Sequence, residues 1–229
     1  MKIKKLLNFI LTRFAPRGAK LSFSALGEDL VMKDILKNKG VKDIFYIDIG
    51  AHDPVFGNNT YLFYRGGGKG ILVEPNTKLC EEIMKKRSRD ISLNAGAGKT
   101  DGEADFYLFP QRTTRSTFSK EQADEWEKVS GQKSNVLKQN IYSLDTIINK
   151  YCRERVPNII SIDAEGLDIE ILKGFSFKKR PDIFCIESAL YDEKGLRKLD
   201  DFLIPFMEGH SYELSAKILH NAIFVDKKL

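Results

Sequence analysis

Residues 44–50 read IFYIDIG, an almost unbroken apolar run closed by a glycine. A run of this kind fits a strand covered on both faces, which places it inside a parallel sheet between two layers of helix. The rest of the chain repeats the theme. Strand-like segments at 70–73, 91–95, 104–109, 158–162 and 182–186 alternate with helical patterns at 59–64, 77–87, 144–151, 167–173 and 195–207. Gly66 to Gly68 break the first of these helices, and Gly174 is expected to cap the fourth. Short strands at 212–214 and 222–225 close the pattern as an antiparallel edge pair. Strands alternating with helices specify an α/β, Rossmann-like fold: a mostly parallel, doubly wound sheet with an antiparallel edge.

The 229 residues, 42% hydrophobic and 30% charged, suffice for one domain with a real core. We divide them into a basic amphipathic arm over 1–21 and a catalytic-size domain over 22–229. Within that domain the polar stretch 111–138, rich in Thr and Ser, reads as a loop with a helical lid. The arm, MKIKKLLNFILTRF at its start, has the make-up of a helix that rests on a membrane surface or a partner, or that docks on the domain. Its apolar part is broken by Asn8, Thr12 and Arg13, which argues against a secretory leader. No apolar run is long enough for a membrane span. Cys80, Cys152 and Cys185 are far apart and lack zinc-type spacing, which suits a reducing cytoplasm, and Cys185 sits in an apolar run as a small hydrophobe. The net charge of +5 is interleaved with acids along the chain, so no nucleic-acid surface is expected.

Ligands of doubly wound sheets bind beyond the carboxyl ends of the strands, near the switch in winding direction. Acids recur at those ends: Asp48, Glu74, Asp163 with Glu165, and Glu187. Carboxylates are costly in such places without a partner, so the recurrence points to a ligand site. Gly50 lets a nucleotide-like cofactor approach the backbone, Asp48 can accept from an ammonium group, and Glu74 can grip two ribose hydroxyls. A dinucleotide is disfavoured because GxGxxG is absent and Asp53 lies where a pyrophosphate would sit. A cationic sulfonium cofactor without phosphate avoids that conflict.

The motifs YIDIGAHDP, NNTYLFY, GILVEPN, SIDAEGLDIEILKG and RPDIFCIES, with SFSALGEDLVMKDIL before them and TRSTFS between, occur in an order that resembles the FkbM-type methyltransferases. The likeness spans about residues 22–224. His52 and Asp53 depart from it, standing where the family often has Asn followed by His or Val. The resemblance implies a class I methyltransferase fold and S-adenosylmethionine-dependent O-methylation of a sugar, glycan or glycosylated small molecule. It implies that Asp48, Gly50 and Ala51 line the methionine end of the cofactor, Glu74 the ribose, and Asn94 with Ala95 the adenine. Glu28 and Asp29 either close over the cofactor or serve as the acidic start of a helix.

A hydroxyl acceptor must be aligned with the methyl donor and must lose a proton. Two devices suit this: a general base, with Asp163, His52 and Glu165 as candidates, or a Mg²⁺ or Mn²⁺ held by Asp163, Glu165 and Glu187. His220 and Asn221 are placed beside the acceptor pocket, and His210 in a surface turn. Two other readings stand beside this one: the same cofactor with an RNA or protein acceptor, and a non-catalytic Rossmann-like binding domain. The absence of an NPPY-like motif counts against base methylation, and intact acids at the strand ends count against the second.

Overall fold

The computed structural model describes residues 18–187, 189–191, 197–199 and 201–228, so most of the expected N-terminal arm lies outside the described residues. The main sheet has seven strands in the order β11-β12-β8-β7-β1-β2-β3. These are β1 (Phe45–Ile49), β2 (Lys69–Val73), β3 (Ile91–Leu93), β7 (Ile159–Ile162), β8 (Ile183–Glu187), β11 (Tyr212–Ile218) and β12 (Asn221–Asp226). From β3 to β8 neighbouring strands run parallel, whereas β12 is antiparallel to β8 and β11 to β12. The expected doubly wound sheet with an antiparallel edge is therefore present. The chain leaves β1 in one direction through β2 and β3 and returns on the other side through β7, so the switch lies between β1 and β7, where Asp48 pairs with Ser161 and Ile49 with Ile162.

Alternation along the strands divides the core in two. Phe45, Ile47 and Ile49 face a cluster with α5 (Leu144–Tyr151), α6 (Asp168–Lys173) and α7 (Leu203–Gly209). Tyr46 and Leu72 face α1 (Glu28–Asn38), α2 (Tyr61–Arg65) and α3 (Thr77–Lys86). With every residue of β1 buried, its continuous apolar run has the cause inferred for it, helices on both faces. All three cysteines are buried and free.

Two expectations need correction. The stretch 111–138 is only partly loop and lid. Its helix, α4 (Lys120–Ser130), is present, but β6 (Asn135–Tyr142) begins inside it and joins β4 (Gly96–Ala97) and β5 (Gly102–Leu108) in a separate three-stranded sheet. β6 is exposed along most of its length, so no buried face imposes an alternating pattern on its sequence. The helix expected over 195–207 instead runs Leu203–Gly209, preceded by β10 (Arg197–Leu199), which pairs with β9 (Ala189–Tyr191). Pro205 supplies the reason: it fits in the first turn of a helix starting at Leu203, whereas deep inside a longer helix it would break a hydrogen bond and clash. Gly174 caps α6 as expected, at φ −83. Glycine is required there because a Cβ would lie 2.2 Å from the Lys99 carbonyl oxygen. Among the described residues, no helix is long and apolar enough to cross a membrane.

Candidate active site

A cavity of about 450 Å³ opens over the carboxyl ends of β1, β2 and β7, beside the switch point. Its lining includes Asp48, Gly50, Ala51, His52, Glu74, Ala95, Asp163 and Glu165, so the fold assembles eight of the residues singled out from sequence. Gly50 adopts φ 74 and donates its N–H to the Val73 carbonyl at 2.9 Å, which turns the chain between β1 and β2.

Glu74 projects from the end of β2 and is held at both carboxylate oxygens. Oε1 accepts from Asn76 N–H at 2.8 Å and Oε2 from His52 N–H at 2.9 Å. Burial pushes its pKa up to about 7 despite those two amides. Such a fixed, desolvated carboxylate has lone pairs left for a pair of ligand hydroxyls.

Asp48 is buried too, and burial raises its pKa against the opposing pull of Arg87. Its Oδ2 accepts from Thr60 Oγ1 at 2.7 Å and Asn58 Nδ2 at 3.1 Å. Behind these stands Arg87, fully buried, donating to Asn58 Oδ1, Thr60 Oγ1 and Asp90 Oδ2 at 3.0, 3.0 and 2.8 Å. The guanidinium also lies over the rings of Tyr46 and Tyr64, 5.3 and 5.2 Å from their centroids. One side of the Asp48 carboxylate is thus clamped while the residue still lines the cavity. Arg87 was hidden in the sequence because KKRSRD resembles a solvated run of charge.

Beyond β7, Asp163, Glu165, Asp168 and Glu187 form an acidic group. Burial, and then the neighbouring Glu187 carboxyl, which lies within hydrogen-bonding reach, raise the Asp163 pKa well above the ordinary carboxylate range. Glu165 is pushed up to about 7 by burial and by the charge of Glu187, with Arg115 pulling the other way. Asp168, not singled out from sequence, accepts from Ala164 N–H at 2.9 Å and Gly166 N–H at 3.2 Å and so shapes the turn that carries Glu165. Asp163, Glu165 and Glu187 were the expected metal ligands, yet among the described residues no three acidic, His or Cys side chains are grouped to hold an ion. The arrangement does not fit that expectation.

His52 and Glu165 both follow strand ends in left-handed conformations, each at φ 47. Backbone strain of this sort costs on the order of 1–3 kcal/mol per residue and collects at functional sites. Burial lowers the His52 pKa and favours its neutral form, and its Nε2 lies 2.9 Å from Thr113 Oγ1. The segment 113–116 therefore forms a wall: Thr113, Thr114 and Ser116 line the cavity. Asp53 accepts at Oδ1 from Val55 and Phe56 N–H, both at 2.7 Å, and closes the loop after His52.

Other expected site residues stand behind or away from the cavity. Asn94 donates to the Glu74 and Pro75 carbonyls, 3.0 Å each, and braces the turn from outside. Asp29 accepts from Ser22 Oγ at 2.6 Å and Phe23 N–H at 2.7 Å, fastening the segment before α1. Glu28 accepts from Leu26 N–H and from Asn221 Nδ2, tying α1 to β12 rather than facing the cavity. His210 lies in the turn that follows α7, half-buried, with its ring stacked on Phe177 and centroids 4.0 Å apart.

Residues 48–214 match the family described as the methyltransferase FkbM domain, from the Asp48 strand end through the acidic group to β11. The chain belongs to the FkbM methyltransferase family. It is an S-adenosylmethionine-dependent methyltransferase, and the cavity of this FkbM protein has features that fit the cofactor: a close backbone turn at Gly50, the clamped Asp48 and the doubly held Glu74. Solved structures to which the chain is similar include a TehB-like SAM-dependent methyltransferase from Corynebacterium glutamicum, at 9% identity over 99% of each chain and a TM-score of 0.42. A methyltransferase from Geobacter sulfurreducens matches at 8% identity, 96% of this chain and 94% of that one, TM-score 0.41. An O-methyltransferase from Bacillus cereus in complex with SAH matches at 11% identity, 98% and 90%, TM-score 0.38. Comparison with curated proteins gave no match.

Proposed function

We propose that this FkbM methyltransferase methylates a hydroxyl of a sugar, a glycan or a glycosylated small molecule, with Glu165 as the general base. The observation that carries the reading is Glu165 itself: it lines the cavity together with Thr113, Thr114 and Ser116, and its pKa of about 7 matches the working pH of a base. Burial and Glu187 raise the Asp163 pKa and favour its protonated form, which suits it to donate a hydrogen bond rather than to take up a proton.

Asp48, Gly50, Ala51, Glu74 and Ala95 would hold S-adenosylmethionine, which supplies a methyl group on a cationic sulfur. Glu74 would accept from the ribose hydroxyls, and Asp48 from the ammonium group. The hydroxylic wall and His52, neutral and directed at Thr113, would orient a polyhydroxylated acceptor, while Glu165 takes up the hydroxyl proton. Alignment of this kind supplies much of the acceleration for a displacement at an activated methyl.

The reading is tested by incubating the protein with isotopically labelled S-adenosylmethionine and a panel of saccharides, and locating the label by mass spectrometry. Label on a saccharide oxygen, lost in Glu165→Gln, is the expected result. Label confined to RNA or protein acceptors offered in parallel would overturn it.

A further inference from the structure

Arg112 and Arg115 bracket the cavity-lining Thr113 and Thr114, the latter three residues forming a single turn of 3-10 helix, Thr113–Arg115. Both arginines are exposed, and both guanidiniums lie over the ring of Trp126 on α4, 5.5 and 4.8 Å from it. Among the described residues neither has a carboxylate within ion-pair distance. Three of the four acids of α4 are engaged elsewhere: Asp124 with Lys120 at 2.7 Å, Glu127 with Lys133 at 2.6 Å, and Glu121 with the Ser119 hydroxyl at 3.0 Å; the fourth, Glu125, makes no ion pair with either arginine. Two unpaired guanidiniums, steadied against an indole at the rim of a site whose floor is acidic, form an unusual charge arrangement. A neutral sugar would use the donors of such a pair but not its charge. Guanidinium groups are weakly hydrated and match carboxylate and phosphate oxygens in pairs, and stacking on an aromatic face fixes their planes in advance.

We infer that the acceptor is an anionic saccharide whose carboxylate or phosphate group is received by Arg112 and Arg115 while a hydroxyl of the same molecule faces Glu165. The inference rests on the O-methyl transfer reading above. The rim cations lie on the same wall as the threonines and offset the charge of the nearby acids for an acceptor that is itself negative. Arg115 is near enough to Glu165 to act on its ionisation, which places rim and base within one electrostatic neighbourhood.

Trp126 is the only tryptophan of the chain, so intrinsic tryptophan fluorescence reports on this rim directly. The protein is titrated at constant ionic strength with D-glucuronate, D-glucose 6-phosphate, D-glucose and inorganic phosphate. The expected result is a saturable change with at least one anionic sugar, with an apparent Kd at least tenfold tighter than for glucose or inorganic phosphate. Response to glucuronate alone identifies a carboxylate, and response to the sugar phosphate alone a phosphate. The Arg112→Gln/Arg115→Gln variant, checked for native circular dichroism, should lose at least tenfold in that affinity while its calorimetric affinity for S-adenosylmethionine is unchanged. No saturable change with either anionic sugar, equal binding of glucose or inorganic phosphate, or an undiminished response in the double variant overturns the inference. So does a tenfold loss of S-adenosylmethionine affinity, which would assign the arginines to the cofactor's carboxylate. Since the fluorescence does not depend on methyl transfer, a saccharide that binds at the rim but never gains a methyl group refutes the O-methyl transfer reading and leaves the anion site standing.

Discussion

Gly50 and Asp163 meet backbone to backbone: a Cβ on Gly50 would lie 1.8 Å from the Asp163 carbonyl oxygen, and 2.9 Å from its carbonyl carbon. The contact joins the turn after β1 to the turn after β7, the two strand ends that flank the switch point, and Asp163 N–H in turn donates to Ile49 O at 3.1 Å. The cofactor side of the cavity and its acidic side are therefore set against each other by main chain alone, and their spacing depends on the absence of one methyl group.

Gly50→Ala is accordingly expected to be severe. The added carbon cannot coexist with the Asp163 carbonyl, and the left-handed φ of 74 adds strain for any other residue. Overpacking and backbone strain each cost roughly 1–3 kcal/mol. We expect a fall in thermal midpoint with loss of S-adenosylmethionine binding in calorimetry. A variant with wild-type melting and affinity would mean that the two turns separate easily.

Glu165→Gln should lower kcat by roughly 10²- to 10⁴-fold, the usual range for a lost general base, and leave S-adenosylmethionine affinity intact. The sign of the pH dependence follows from a pKa of about 7: the base works when ionised, so wild-type kcat/KM rises as pH increases through 7 and levels above it. The variant should lack that limb. An unchanged profile would remove Glu165 from proton transfer.

Glu74→Gln should weaken S-adenosylmethionine while keeping the fold, because Gln retains an acceptor oxygen for one of the two amides that Glu74 now holds. With the free-protein pKa near 7 and the ionised form preferred by ribose hydroxyls, wild-type affinity should fall below pH 7 by up to about tenfold per unit. Isothermal calorimetry between pH 5.5 and 8 reads this, and the variant should show a flatter line.

The same raised pKa values bear on stability. A carboxyl whose pKa is higher folded than unfolded binds more protons in the folded state, so its contribution is fully present below the unfolded pKa and disappears as pH rises through the folded one. Glu165 and Asp168, both pushed up to about 7, and Asp163, raised by burial and Glu187, act together. The cofactor-free protein should lose melting temperature from pH 5 to pH 8, and Asp163→Asn should reduce that slope. A midpoint that rises over this interval would contradict the burial of the group.

What was legible in the sequence depended on burial. β1, β2, β7 and β8 have nearly every residue covered, and their apolar runs and terminal acids could be read directly. Asp48, Glu74 and Asp163 were found for that reason, and the cavity brings them together. β6 escaped notice because its ladder with β5, from Gly102 opposite Ile141 to Leu108 opposite Asn135, is mainly a matter of backbone hydrogen bonds between exposed strands. Glu28 illustrates another limit. Its acidity near a helix start suggested a ligand, yet its partner is Asn221, 193 positions away, and local pattern does not encode such a meeting. The network of Arg87 was invisible on the same ground, being assembled from α3 and from the loop that holds Asn58 and Thr60.

That network provides the last test. Replacing Arg87 with Met removes the cation facing Asp48 and Asp90 and takes the donors from Asn58 and Thr60, while approximately filling the space under Tyr46 and Tyr64. Breaking a buried pair by deleting one partner costs roughly 3–5 kcal/mol, which for a chain of this size is a drop on the order of 10 °C in melting temperature. Adding Asp90→Asn should recover part of the stability, because one stranded charge is then gone. It should not recover S-adenosylmethionine affinity if Arg87 acts by holding Asn58 and Thr60 in place against Asp48, since those contacts remain broken in the double variant. Differential scanning calorimetry and cofactor titration on the two variants separate these effects. Recovery of affinity together with stability would show that Arg87 supports the fold in general and not the position of Asp48.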